Sequence, residues 1–140
     1  MTEDKKPVVL VEDDDLFAEI FAVHYRRAGI TNELIHVKSG YEALDLFWGA
    51  GSHADKDVII PALIIMDVRL PGLNGVDVAI TLRNGIALAK IPIIAISAFV
   101  EPDDRNALTD AGVNYYYEKS GDLTPLMNEV KAILARSSYA

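Results

Sequence analysis

Five short runs of apolar residues alternate with stretches of helical periodicity from one end of the chain to the other. Four of these runs are unbroken, which is typical of parallel strands covered on both faces, and the run at 33–37 alternates weakly. Regular alternation of strand and helix predicts a parallel sheet with helices on both sides. The predicted strands are Val8–Val11, Glu33–Val37, Ala62–Asp67, Ile91–Ser97 and Val113–Tyr117. The predicted helices cover 16–28, 40–48, 76–88, 102–111 and, from 122 or 124, to 136.

Length and charge narrow the class of protein. The 140 residues are the length of one ordinary domain and can bury about two-thirds of the unfolded surface. We expect a single domain over 1–140, with short tails at 1–7 and 137–140. A hydrophobic fraction of 51% argues against disorder. The formal charge of −8 argues against a nucleic-acid partner, because phosphate backbones are held by lysine and arginine.

Two absences in the sequence exclude further classes. There is no cysteine, which excludes disulfides, thiolate metal sites and a cysteine nucleophile. The N-terminus is polar and lacks the apolar run of a signal peptide. The longest apolar runs, at 58–66 and 91–96, are far shorter than the ~20 residues that span a bilayer. We therefore expect a cytoplasmic protein without a membrane partner.

Polar side chains follow four of the predicted strands. Glu12 and Asp13 follow the first strand, Asp67 ends the third, Ser97 ends the fourth, and Lys119 lies two residues after the fifth. In open α/β sheets, functional groups gather outside the carboxyl ends of the strands. If the sheet is doubly wound in the flavodoxin-like order 2-1-3-4-5, the first and third strands are neighbours. The three carboxylates then converge on one crevice.

A cluster of three carboxylates is stabilised by a nearby cation. Neighbouring carboxylates repel one another and raise each other's pKa unless a positive charge neutralises them. Oxygen ligands with room for water suit Mg²⁺. A lysine opposite the cluster can pair with Asp67 or with an anion bound to it. Carboxylate, metal, cation and hydroxyl together indicate a phosphoryl-transfer site.

At these residues the sequence resembles the receiver domains of two-component response regulators, from Val8 to the last helix. The segments that carry the resemblance are LVEDD with the acidic pair, IIMDVRLPGLNG with Asp67, Pro71 and Gly75, IIAISA with Ser97, and YYYEK with Lys119. An aspartate followed by proline and glycine occurs in many turns, so each segment alone is weak evidence. All four, in order and at strand ends, are a specific match.

The resemblance implies a phosphoacceptor. Asp67 would receive a phosphoryl group from a sensor histidine kinase or a histidine phosphotransfer protein, as in a phosphorelay. Glu12, Asp13 and Asp67, with the backbone carbonyl of Arg69, would bind Mg²⁺ or Mn²⁺. The protein would catalyse only its own phosphorylation and dephosphorylation, so it is not expected to be an enzyme in the usual sense.

The resemblance also implies a switch. Phosphorylation adds about −1.5 to −2 charges and three acceptor oxygens. Ser97 and Lys119 would move towards these oxygens, and Tyr116 would turn inward into the space that Ser97 leaves. The face formed by the fourth helix, fifth strand and fifth helix would change shape. That face would bind an unidentified downstream protein or a second copy of the chain.

Three positions bear on details of this scheme. The family usually has a proline after the lysine, joined by a cis bond, whereas this chain has Ser120. A cis bond before a non-proline residue costs ~2.5–4 kcal/mol, so we expect a trans bond and a re-routed loop. Arg69 and Phe99, each two residues after Asp67 or Ser97, would crowd an attacking water. We therefore expect slow self-dephosphorylation.

Other classes of protein share parts of this sequence pattern. The chain fits a stand-alone regulator, and a receiver cut from a hybrid kinase or a longer regulator is the alternative. A Mg²⁺-dependent phosphatase of the haloacid dehalogenase type also uses an aspartate nucleophile, but its general acid would stand at 69, which is Arg69 here. A flavodoxin-like nucleotide or flavin binder would need a glycine-rich loop where this chain has EDDD.

Several residues have plain structural explanations. Asp14 and Asp15 fit the N-terminus of a helix, where acids are favoured by the dipole. Tyr115 and Tyr117 fit packing positions. The histidines His24, His36 and His53 lack the spacing of metal ligands. Trp48 and the segment Val58–Ile60 fit either an exposed docking patch or burial under a loop.

Overall fold

β-branched and aliphatic residues form the strands of a five-stranded sheet, as the apolar runs predict. The computed structural model describes residues 5–48, 59–85, 88–98, 102–119 and 121–137, without the side chains of 102–104 and 137. The strands are β1 Val8–Val11, β2 Leu34–Val37, β3 Leu63–Asp67, β4 Ile93–Ser97 and β5 Tyr115–Glu118. All paired strands are parallel, in the order β2-β1-β3-β4-β5. The predicted flavodoxin-like topology is confirmed.

Five helices connect or follow these strands. They are α1 Asp15–Arg27, α2 Gly40–Trp48, α3 Gly75–Asn84, α4 Pro102–Asp110 and α5 Thr124–Ser137. Helix α3 ends at Asn84, four residues earlier than predicted, because Gly85 leaves the helical conformation and its N–H bonds to the Leu82 carbonyl at 3.1 Å. No helix in the described part of the chain is both long and apolar enough to span a bilayer.

Strand β5 begins and ends later than predicted. The N–H of Val113 bonds to the Leu108 carbonyl at 3.0 Å and so belongs to the end of α4. Asn114 uses its side chain to accept the N–H of Ile93 at 2.9 Å. The ladder therefore starts at Tyr115, and Lys119 follows directly on the end of the strand.

The sheet is covered on both faces, as a doubly wound fold requires. One core contains Val9, Val11, Ile64 and Met66 and packs against α2 and α3. The other core holds the alternate residues of the same strands with α1 and α5. Every residue of β1, β3 and β4 is buried. Ile59 and Ile60 pack on the first core, and Trp48 remains 42% exposed; Val58 lies outside the described residues.

One arginine joins two loops at the amino-terminal edge of the sheet. Arg83, near the end of α3, donates to the Gly112 carbonyl through Nη2 at 2.7 Å and Nε at 3.1 Å. Its Nη2 also reaches Asn114 Oδ1 at 2.9 Å. Its Nη1 contacts the carbonyl oxygens of Leu88, Ala89 and Ile91. This guanidinium therefore donates hydrogen bonds to the loop before β4 and to the loop before β5, and so connects the two loops.

Candidate functional site

The carboxyl ends of β1 and β3 bring the acidic residues together. These strands are neighbours, with Val11 opposite Met66, so the residues that follow them meet at one edge. Oxygens of Glu12, Asp13 and Asp67 all lie within 4.8 Å of one another. Glu12 and Asp67 are buried, whereas Asp13 is exposed. The convergence predicted from the strand order is present.

Asp67 is buried, and each of its carboxylate oxygens accepts a hydrogen bond. Its Oδ1 accepts the backbone N–H of Arg69 at 2.9 Å, and its Oδ2 accepts a proton of Lys119 Nζ at 2.7 Å. Buried charges persist when they are paired and hydrogen-bonded in this way. The strand can therefore end in an ionised group.

Lys119 also pairs with Glu12. Its Nζ lies 2.6 Å from Glu12 Oε1, and the side chains of Lys119 and Glu12 are only 12% and 0% exposed. Burial raises the pKa of Glu12 to about 7, with a further rise from Asp67, while Lys119 and the Asp14 N–H oppose it. Burial by itself lowers the pKa of Lys119, but Asp67 and Glu12 outweigh it and raise that pKa above its ordinary value.

The turn after β3 favours a glycine where α3 begins. A Cβ on Gly75 would lie 3.0 Å from both the Asp67 carbonyl oxygen and Val68 Cα, so the backbone there would have to shift by a few tenths of an ångström to admit it. The Gly75 N–H bonds to the Val68 carbonyl at 2.9 Å, and Asn74 caps the helix through the Asp77 N–H. Beside this turn opens a cleft of about 450 Å³, lined by Asp13, Val68, Arg69, Leu70, Pro71, Asn74 and Val76.

Ser97 and Tyr116 lie on the other side of Asp67. Ser97 is 2% exposed at the end of β4, and its carbonyl accepts the Lys119 N–H at 2.8 Å. The Tyr116 ring packs in a small cluster with Val68, Ala95 and Leu108. Its hydroxyl is buried without a hydrogen-bond partner among the described residues. The Arg105 guanidinium carbon lies 5.0 Å from the ring centroid.

The structural explanations for the neighbouring residues are confirmed where the structure describes them. Asp14 caps α1 by accepting the N–H groups of Leu16 and Phe17, and Asp15 lies in the first turn. Tyr115 and Tyr117 pack on the α1 and α5 side of the sheet. Phe99, Ser120 and His53 lie outside the described residues, so the Lys119–Ser120 bond stays a prediction.

Two contacts at the site were not predicted from the sequence. His36 on β2 donates from Nε2 to the Glu12 carbonyl, with an N···O distance of 2.7 Å. Phe17 on α1 places its ring under Lys119, with Nζ 4.8 Å from the ring centroid. The sequence places Phe17 in the first predicted helix, and nothing in it pairs Phe17 or His36 with these partners.

Comparisons with known proteins agree with this geometry. The sequence profile of the response regulator receiver domain matches residues 8–131. The polar-differentiation response regulator DivK of Brucella ovis is 33% identical over 129 residues, which are 92% of this chain and 96% of DivK.

Two solved structures are similar throughout. The bacteriophytochrome response regulator RtBRR has a TM-score of 0.81 and 32% identity, over 93% of this chain and 78% of that one. The Mn²⁺-bound form of the response regulator Rcp1 has a TM-score of 0.77 and 27% identity, over 91% of each chain. With its profile match, its close relatives and its acidic cluster at the strand ends, this chain belongs to the response regulator receiver domain family.

Proposed function

We propose that Asp67 accepts a phosphoryl group from a sensor histidine kinase or a histidine phosphotransfer protein. A carboxylate oxygen of Asp67 attacks phosphorus, the phosphorus–nitrogen bond of the phosphohistidine breaks, and the imidazole leaves with the electron pair. The observation that carries the proposal is the 2.7 Å contact between Lys119 and Asp67 at the end of β3, beside two further carboxylates. Response regulators receive phosphoryl groups from histidine kinases and act on downstream partners, which fits this family membership.

A divalent ion, Mg²⁺ or Mn²⁺, fits the carboxylates present. Glu12, Asp13 and Asp67 offer oxygens within 4.8 Å of one another, and Lys119 pairs with Glu12 and Asp67 of these three. The backbone carbonyl of Arg69 is the further ligand that we propose. When bound, the ion would offset the negative charge shared by the carboxylates and the phosphoryl oxygens. The Mn²⁺-bound form of Rcp1 supports this assignment by similarity.

We propose that three residues respond to the phosphoryl group on Asp67: Ser97, Lys119 and Tyr116. Ser97 would donate its hydroxyl proton to one phosphoryl oxygen, and Lys119 would pair with another. Lys119 Nζ lies 2.6 Å from Glu12 and 2.7 Å from Asp67, so phosphoryl oxygens on Asp67 would compete for the same cation. The Tyr116 ring packs in a cluster with Leu108 of α4 and lies 5.0 Å from the Arg105 guanidinium carbon, so a movement of Tyr116 would be passed to α4.

The output that we propose is a binding surface made of α4, β5 and α5. It would engage an unidentified downstream protein or a second copy of the chain. We propose that residues 1–140 form one receiver domain that acts in the cytoplasm, without nucleic acid or membrane partners. Its only catalysis would be its own phosphorylation and dephosphorylation.

The test is phosphoryl uptake from acetyl phosphate, measured by intact mass spectrometry with Mg²⁺ and with a chelator. We expect one phosphoryl group per chain with Mg²⁺, very little with the chelator, and none for Asp67→Asn. Asp77→Asn, an equivalent change on the exposed side of α3, is the control and should behave as wild type. Sustained hydrolysis of the donor without a stable adduct would instead indicate a phosphatase, and no reaction would contradict the proposal.

Arg69 should slow the loss of the phosphoryl group. Its exposed side chain lines the cleft beside Asp67, where we expect it to obstruct an attacking water. We expect Arg69→Ala to lose phosphate several-fold faster than wild type after the donor is removed. Arg69→Met keeps the length without the charge and separates bulk from electrostatics. Decay of the wild-type adduct within seconds, or no acceleration in Arg69→Ala, would be evidence against slow dephosphorylation.

A further inference from the structure

To act in phosphoryl transfer, the Lys119 ammonium has to point at Asp67 even when the charges around it change. Its ammonium contacts two carboxylates, Glu12 and Asp67, and both belong to the cluster that would hold a divalent ion. A bound cation or a new phosphoryl group would redistribute those charges. The side chain has four torsions, so contacts at its head alone fix its path poorly. Another group should therefore hold the ammonium independently of the carboxylates.

The ring of Phe17 is such a group. Lys119 Nζ lies 4.8 Å from its centroid, within the range of a cation–π contact. The lysine side chain is 12% exposed, and the attraction is stronger when the cation is desolvated. Unlike a carboxylate, a ring carries no net charge, so a metal ion or phosphoryl group at Asp67 does not compete for it.

The position of this ring is fixed by its own helix. The Phe17 N–H bonds to the capping side chain of Asp14 at 3.3 Å, which sets the first turn of α1 directly after the acidic pair. On the next turn Phe21 lies with its centroid 6.4 Å from that of Phe17, and Tyr25 stacks beyond it at 6.0 Å. Phe21 is completely buried. The capped first turn of α1 therefore places the Phe17 ring, and the rings of Phe21 and Tyr25 follow it on later turns of the same helix.

We propose that Phe17 is a positioning residue for Lys119, holding its ammonium over an aromatic face so that it points at Asp67 during phosphoryl transfer. The inference rests on the proposed function for its consequence and on the Lys119–Phe17 geometry for its existence. It adds a residue that acts through Lys119 and does not touch the phosphoryl group.

Three variants separate this role from packing. Phe17→Leu removes the ring face but keeps an apolar side chain, and Phe17→Tyr keeps the face. Phe21→Leu removes a fully buried ring one turn further along the same helix, and it is the control for a general loss of packing. We expect Phe17→Leu to slow phosphorylation by acetyl phosphate about five- to thirty-fold, the range of a partly desolvated cation–π contact. Phe17→Tyr should stay within about twofold of wild type.

The Mg²⁺ affinity gives a readout that a structural defect would not produce. A loosened Lys119 competes less for the carboxylates, so Phe17→Leu should bind Mg²⁺ as tightly as wild type or more tightly. Phe21→Leu should lose stability but keep its phosphorylation rate when folded. An unchanged rate in Phe17→Leu, or an equal loss in Phe21→Leu, would overturn the proposal.

A second measurement does not depend on phosphorylation. The ε-methylene protons of Lys119, assigned by their loss in Lys119→Arg, should show an upfield ring-current shift in the NMR spectrum. The shift should vanish in Phe17→Leu and persist in Phe17→Tyr. If wild type took up no phosphate, the proposed function would fail while this shift still decided the Lys119–Phe17 contact. Identical shifts in wild type and Phe17→Leu would overturn it.

Discussion

Replacing Lys119 with methionine should destabilise the metal-free protein by about 3–5 kcal/mol, the usual cost of removing one partner from a buried ion pair. The lysine is the cation that contacts both Glu12 and Asp67, whose side chains are 0% and 8% exposed. Without it, two carboxylates face each other in a poorly solvated site. Urea unfolding in a chelator, near neutral pH or above, measures the loss. Lys131→Met, on an exposed position of α5, should change little.

The loss should depend on pH in a defined direction. The folded pKa of Glu12, about 7, lies above its ordinary value of 4.5, so this group favours folding at low pH and loses that contribution as pH rises through the folded pKa. Removing Lys119 raises the folded pKa further, because a favourable partner of the ionised form is gone. The gap between variant and wild type should therefore be larger at about pH 8 than at about pH 5.

Divalent ions should reverse part of this defect. Mg²⁺ bound by Glu12, Asp13 and Asp67 would replace the missing positive charge, so the variant should gain more stability from Mg²⁺ than wild type does. Phosphorylation should still be severely slowed, because Lys119 is proposed to pair with the phosphoryl oxygens. A variant as stable as wild type in the chelator would show that the ion pairs contribute nothing net.

Replacing Arg83 with methionine should cost about 2–3 kcal/mol, because a charged hydrogen-bond donor is lost and several carbonyls lose their partner. The guanidinium connects Gly112 and Asn114 to the segment before β4. Burial lowers the pKa of Arg83, yet it has no carboxylate among its hydrogen-bond partners in the described residues. A lysine cannot reach both loops with one ammonium, so Arg83→Lys should recover less than half of the loss.

This second effect should be confined to stability. Arg83 contacts the loops that enter β4 and β5, at the edge of the sheet opposite Asp67. Where Arg83→Met is folded, its phosphorylation rate should match that of wild type. Arg27→Met, on an exposed turn of α1, is the matched control and should cost about 0.5 kcal/mol or less. Equal unfolding midpoints for Arg83→Met and Arg27→Met would show that the hydrogen bonds of Arg83 do not stabilise the fold.

The topology and the cluster were predictable for one physical reason. Parallel strands buried on both faces must be apolar throughout, so a polar residue at the end of such a run marks the carboxyl edge of the sheet. Glu12, Asp67 and Ser97 stand out by that contrast, and they lie where the order 2-1-3-4-5 puts them. Boundaries were less certain: three tyrosines in succession do not say which residue opens β5.

Contacts between distant side chains could not be predicted in the same way. Phe17 carries the ordinary pattern of an amphipathic helix, and only the tertiary fold gives it Lys119, which follows β5, as a neighbour. His36 looks like any residue of a weak strand until β2 places it next to Glu12. Arg83 reads as a solvent-facing charge near a helix end, where arginine is common. Each depends on distances set by tertiary structure.

The central claim is that one carboxylate, at the end of β3, carries the phosphoryl group. Its most direct test is borohydride reduction of the protein after reaction with acetyl phosphate and Mg²⁺. One hydride displaces phosphate from an acyl phosphate to give an aldehyde, and a second hydride with a proton reduces that aldehyde to the alcohol of homoserine, which peptide mass spectrometry locates. We expect homoserine at position 67 and at no other position. Homoserine at Asp13, or at no aspartate although phosphate was taken up, would contradict it.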